Sequence, residues 1–135
     1  MTDNQNIVRE FVEAFEQRSA EKIAPFLHDD IVFVNYGDPP VHGKAAVLKL
    51  WEAVFSMFAY VRFEILHQAT EQSVILSEQI HFLGQAGKTP APIRNMAAYE
   101  IKDGLIAAWR DYTDSNEARR LLGAAEPLSV EEAYS

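Results

Sequence analysis

The sequence predicts an α+β fold, and three observations carry that reading. Apolar residues recur at helical spacing up to Phe58, the period changes to two from Val61 onward, and an Asp103-Gly104 pair introduces a final alternating run from Leu105 to Asp114. The chain has 135 residues, 48% of them hydrophobic, with no internal repeat, low-complexity segment or linker. One domain over 1–135 with a sizeable core follows, in which two or three helices precede a meandering sheet that curls around them.

Thr2, Asp3 and Asn4 are candidate N-caps for a first helix that carries Ile7, Val8, Phe11, Val12 and Phe15 on one side and runs to about Arg18. Ser19, Glu21 and Lys22 restart a shorter helix with Ile23, Phe26 and Leu27, which His28-Asp29-Asp30 ends. Ile31 to Asn35 is a β-branched and aromatic run that reads as strand, with Ile31, Phe33 and Asn35 pointing one way. Tyr36 to Pro40 cannot continue a ladder, and Gly43 leads into a helix whose apolar side holds Val47, Leu48, Trp51, Val54, Phe55 and Phe58. Strands follow at Val61 to Ile65, about Ser73 to Leu83, Ile93 to Lys102, and Leu105 to Asp114, then a short helix from about Ser115 to Leu122. The tail from 123 to 135 has no clear period, which leaves wrapping, extended and frayed conformations open.

Charge and composition exclude several function classes. Twelve basic against twenty acidic residues give a net charge of -8, which argues against phosphate-backbone binding and against docking on an anionic membrane. Without cysteine there is no disulfide, thiolate metal site or Cys nucleophile. His28, His42 and His67 are scattered among unlike surroundings, so no metal is expected. Neither a glycine-rich phosphate loop nor a Gly-x-Ser-x-Gly elbow occurs. The start, MTDNQNIVRE, lacks a basic end followed by an apolar run, and no apolar stretch approaches the roughly 18 residues that span a bilayer, so a soluble, cytoplasmic protein is expected.

The last strand is where chemistry is expected. On strict alternation Leu105, Ala107, Trp109, Asp111 and Thr113 share one face, and Ile106, Ala108, Arg110 and Tyr112 the other. A carboxylate buried beside Trp109 must find a partner or shift its pKa. On the long preceding strand Ser77, Gln79, His81 and Leu83 share a face. Each candidate also has a structural reading: Asp111 could bind backbone amides, Arg94 or Arg110, His81 could be a satisfied histidine, and Asn35 could cap its turn. If the sheet curls over the helices, Val12, Phe15, Val54 and Phe58 face Leu83, Ile93, Asn95 and Ala97 across an apolar cavity, with Phe33 and Trp109 also lining it and Asp111 closing its bottom.

The segments LHDDIVFVN, PPVHGKAAV and EIKDGLIAAWRDYTD, behind an amphipathic helix, resemble the NTF2-like superfamily, and within it the SnoaL-like branch that includes limonene-1,2-epoxide hydrolase. The resemblance spans essentially the whole chain, and WRDYTD is its most specific part. It implies a cone-shaped, curved mixed sheet wrapped around N-terminal helices, a deep apolar pocket, frequent dimerisation, and no metal or organic cofactor. It also implies that Asp111 stands where the hydrolase activates water and Asn35 where it holds that water. Phe33 replaces the hydrolase's Tyr, while Gln79 and His81 replace its Arg and Asp, so that water-activating set is incomplete.

Two function classes remain. One is a cofactor-independent enzyme moving a proton on a small hydrophobic molecule, as an isomerase or cyclase or else by opening an epoxide. In it Asp111 and His81 titrate as a coupled acid/base pair while Gln79 and Asn35 orient oxygen or water. The other is a ligand-binding module that has kept the cone and lost the chemistry. Leu76, Ile80, Phe82, Met96 and Tyr112 on the opposite sheet face are too apolar for a solvated surface, so a homodimer through that face is expected.

Overall fold

Asp103 and Gly104 both adopt positive φ, 53° and 75°. A two-residue type I′ hairpin turn requires this, and its twist matches that of the strands it joins. In the computed structural model, which describes residues 3–123, this turn connects the last two strands of a six-stranded sheet. Helix α1 (Asp3–Ala14) continues into a 3₁₀ turn at Phe15–Gln17, and α2 (Ala20–Ile23) into another at Ala24–Phe26. Strands β1 (Leu27–Asn35) and β2 (Val41–His42) precede α3 (Lys44–Met57). Then come β3 (Tyr60–Glu71), β4 (Val74–Gly84), β5 (Ala91–Lys102), β6 (Leu105–Thr113) and α4 (Ser115–Leu121). The sheet order is β2-β1-β6-β5-β4-β3, antiparallel throughout except for the β1/β6 pair, which is parallel. The expected curved mixed sheet over N-terminal helices is therefore present.

The helices close over one face of the sheet through aromatic rings. Phe11 and Phe15 of the first helical segment meet Trp109 of β6 edge-on, with centroids 5.2 and 5.8 Å away. Trp51 of α3 stacks on Trp109 at 5.2 Å and 13°. Phe15 stacks on Phe63 of β3 at 4.5 Å. Val47, Trp51 and Phe55 recur every four residues, which puts one stripe of α3 against the sheet. Arg18, in the left-handed conformation at the end of the first 3₁₀ turn, donates to the carbonyl oxygens of Phe58 (2.7 Å) and Phe55 (3.4 Å) and ties the two helical layers together.

Several boundaries differ from the sequence reading. Pro25 converts the expected end of the second helix into a 3₁₀ turn, and β1 begins at Leu27, before His28-Asp29-Asp30, with Leu27 paired to Ile106. Val41-His42 forms an unexpected short strand against Val32 and Phe33. β3 continues past Ile65 to Glu71, because its second half pairs with β4 although neither of its faces is well covered. The alternation assigned to the start of β6 is also corrected. Glu100 pairs with Ala108 but Ile101 with Ile106, so Ala107 is an inserted, unpaired residue, and Ile106, fully buried, joins the core face that Leu105 was expected to occupy. Of the tail assigned to 123–135, residues 124–135 lie outside the described residues.

Candidate active site

The bulge at Ala107 sets the phase of the rest of β6, so that Trp109 and Asp111 both point toward the helices. Cross-strand pairing then assembles the site in rows on this concave face. Trp109 lies beside Phe33 and Tyr99, Asp111 beside Asn35 and Ala97, and Thr113 beside Asn95. Farther along the sheet Ala97 pairs with Ser77, Asn95 with Gln79, and Ile93 with His81. Asp111, His81, Gln79 and Asn95 are all buried, and Asn35 is half-buried.

Among the described residues Asp111 has no cationic partner. The arginines proposed for it are engaged elsewhere: Arg94 pairs with Glu117 of α4 and Arg110 with Glu100, so the structural ion-pair reading is overturned. Its Oδ1 instead accepts from Trp109 Nε1 (2.8 Å), and the Asn95 amide also donates to it. Burial outweighs both bonds and pushes the carboxyl up to about 7. The site therefore holds a carboxyl that exchanges its proton near neutrality.

His81 does not pair with Asp111, contrary to the sequence expectation. Its ring lies flat on Phe63, 3.6 Å between centroids, and its Nε2 donates to Gln79 Oε1 (2.8 Å). Burial alone pulls it down to about 3, which leaves a neutral imidazole whose Nε2 carries the hydrogen. Gln79 Nε2 in turn donates to Ser77 Oγ (3.1 Å) and Tyr99 Oη (3.0 Å). Burial, with Asp111 nearby, pushes the Tyr99 phenol up, so it stays protonated. Neutral residues thus occupy the two strand positions where the resemblance implies an Arg and an Asp in the hydrolase.

Asn35 Nδ2 reaches Asp38 Oδ2 at 3.5 Å, and the Tyr36 N–H donates to the Asp111 backbone carbonyl (2.8 Å), holding the end of β1 against β6. Partial burial raises the Asp38 carboxyl above its ordinary range. Among the remaining expected lining residues, Val12, Phe15, Phe33, Trp109, Ile93 and Ala97 are buried in or beside the aromatic core, Phe58 is 8% exposed, and Val54 and Leu83 are partly buried. Tyr99, Ser77, Trp51 and Asp38 were missed as site residues. The alternation places Ser77 on the face of Gln79 and His81 without giving it a role there, while Tyr99 shares a strand face with Asn95, and period-two counting along β5 would have found it. Trp51 and Asp38 left no such signal, because their approach depends on how α3 and the turn after β1 fold over the sheet. The last residue of WRDYTD, Asp114, is structural: its Oδ1 accepts from the N–H groups of Asn116 (2.9 Å) and Glu117 (3.2 Å) and caps α4. No group of three or more metal-ligating side chains occurs among the described residues, and no helix there is long and apolar enough to cross a membrane.

A curved mixed sheet closed by N-terminal helices is the α+β arrangement of NTF2-like proteins. The family model of the SnoaL-like domain matches residues 8–109, and the chain belongs to that family. Among solved structures it is similar to an LEH-like epoxide hydrolase from M. tuberculosis, at 24% identity and TM-score 0.74 over 89% of each chain. It is also similar to an NTF2-like protein of unknown function from Burkholderia pseudomallei K96243, at 21% identity and TM-score 0.80 over 92% of this chain and all of that one. A third is a protein of ketosteroid isomerase-like fold from Catenulispora acidiphila DSM 44928 in complex with trimethylamine, at 15% identity and TM-score 0.78 over 90% and 97%. At these identities the likeness establishes the shared fold.

Proposed function

We propose that this SnoaL-like protein is a cofactor-independent enzyme of isomerase or cyclase type, acting on a small hydrophobic molecule through proton transfer by Asp111. The observation that carries the reading is the buried carboxyl held at about 7, where base and acid forms are both populated near neutral pH. The carboxylate takes a proton from a carbon next to a carbonyl, the electron pair moves onto the carbonyl oxygen, and the protonated carboxyl returns the hydrogen at another carbon. Trp109 Nε1, donating to Oδ1, fixes the carboxyl's orientation. Gln79 and the neutral His81 act as a hydrogen-bonding wall rather than as a second acid. A neutral ligand suits this site, since the chain carries a net charge of -8.

Asp111→Asn keeps the shape and abolishes proton acceptance, so turnover should fall by roughly 10² to 10⁴ with folding intact. In the parent, kcat/KM should rise with pH through about 7 as the carboxylate forms. An Asp111→Asn protein with every activity unchanged would make the cone a binding module. Epoxide hydrolysis is the second reading, favoured by the pairing of Asn35 with Asp111 across β1 and β6. An efficient epoxide-opening activity in the parent, carrying Gln79 and His81, would put it first.

A further inference from the structure

Asn95, beside Asp111, and Trp51, stacked on Trp109, each carry a buried polar atom that nothing in the described residues satisfies. Asn95 is 3% exposed. Its Nδ2 donates to Thr113 Oγ1 (2.9 Å), and the same amide donates to the Asp111 carboxyl, which leaves Oδ1 buried with no donor. Trp51, 7% exposed, stacks on Trp109, the ring that bonds Asp111, and its Nε1–H has no acceptor. An unsatisfied buried donor or acceptor costs about 1 to 3 kcal/mol, so such atoms persist where a function uses them.

Resting on the proposed role of the Asp111 site, we propose that the substrate bears a hydroxyl or enol group beside its reacting carbon, and that Asn95 is the specificity-determining residue that accepts its hydrogen. The amide is committed on its nitrogen side to Asp111 and Thr113, so its oxygen is oriented before the ligand arrives. A hydroxyl there gives its hydrogen to Asn95 Oδ1. A pure hydrocarbon or an ether of the same size has no hydrogen to give the amide oxygen, and a site built to bond a hydroxyl rejects the analogue without one.

The test compares binding of matched pairs to the full chain by calorimetry: 2-naphthol against 2-methoxynaphthalene, and menthol against its methyl ether. The hydroxyl member of at least one pair should bind on the order of tenfold more tightly to the parent. Asn95→Leu should bring it down to the level of the ether, and Asn95→Ser, which retains an acceptor at shorter reach, should keep part of the preference. The Asp111 carboxyl, followed by carbon NMR, should titrate higher in Asn95→Leu because a donor is lost. A raised Asp111 titration with unchanged hydroxyl preference would make Asn95 a support for Asp111 alone and overturn the inference. So would a parent without preference, as when an internal water serves Oδ1, or a parent that binds neither pair. The outcome is separable from the proton-transfer reading: a hydroxyl preference that persists while Asp111→Asn leaves activity untouched removes the proton-transfer role of Asp111 and keeps the recognition.

Discussion

Burial drives the two titratable side chains of the site in opposite directions. The Asp111 carboxyl rises from 3.8 to about 7 and the His81 imidazole falls from 6.5 to about 3, each toward its neutral form. Between pH 3.8 and 7 folded Asp111 keeps a proton that the unfolded chain releases, so its contribution to stability declines as pH rises. Between 6.5 and 3 the unfolded chain gains a proton that folded His81 refuses, so the His81 contribution is lost as pH falls. Each slope is about 1.4 kcal/mol per pH unit, and from about pH 4 to 6.5 they cancel. Urea unfolding at pH 4.5, 5.5 and 6.5 checks this. Relative to the parent, Asp111→Asn should gain stability with rising pH and His81→Phe, which keeps the ring on Phe63, should lose it. Profiles parallel to the parent's would show that neither group is held neutral.

At the scale of the element, the Arg18 guanidinium closes the C-terminal end of α3 by bonding the carbonyls of Phe55 and Phe58. Arg18→Met should lower stability by about 1 kcal/mol in chemical unfolding, the usual worth of a partly exposed bond to orphan helix carbonyls. An unchanged midpoint would mean water caps α3 equally well. How much was readable from sequence follows from the surroundings of each element. β4 alternates cleanly because one face meets the core and the other faces outward, which is why Gln79 and His81 could be placed on one face. The second half of β3 was missed because residues such as Leu66 and Glu71 are exposed on both faces and leave no alternation to detect. β1 was begun too late because Ile23, Phe26 and Leu27 keep helical spacing across Pro25, which sequence spacing cannot distinguish from a continued helix. The inserted Ala107 turned the first residues of β6 to the wrong face, while Trp109 and Asp111, beyond it, were assigned correctly. The Asp111–His81 pair failed for a different reason. Sharing a concave face does not bring side chains into contact when Tyr99 and Gln79 take up the bonds between them.

For the whole molecule, the outer sheet face is a surface without an assigned role. Leu66, Leu76, Met96 and Tyr112 are 43 to 47% exposed, and all of these but Leu76 line, with Ile80, a groove of about 330 Å³. We expect a second copy of the chain to cover it, because exposed apolar side chains clustered on one sheet face mark an interaction surface. Light scattering at micromolar concentration should give a dimer mass, and Ile80→Glu should reduce it to the monomer. A parent that scatters as a monomer removes the interface. The whole chain also contains only two tryptophans, and they are Trp51 and Trp109, stacked on each other with one bonded to Asp111. The molecule is in consequence its own optical probe: indole emission originates from the ring bonded to Asp111 and from the ring stacked on that one. A steady-state emission titration should show a transition near pH 7 in the parent and none in Asp111→Asn, reporting the carboxyl's ionisation, or a ligand that displaces it, with no label attached.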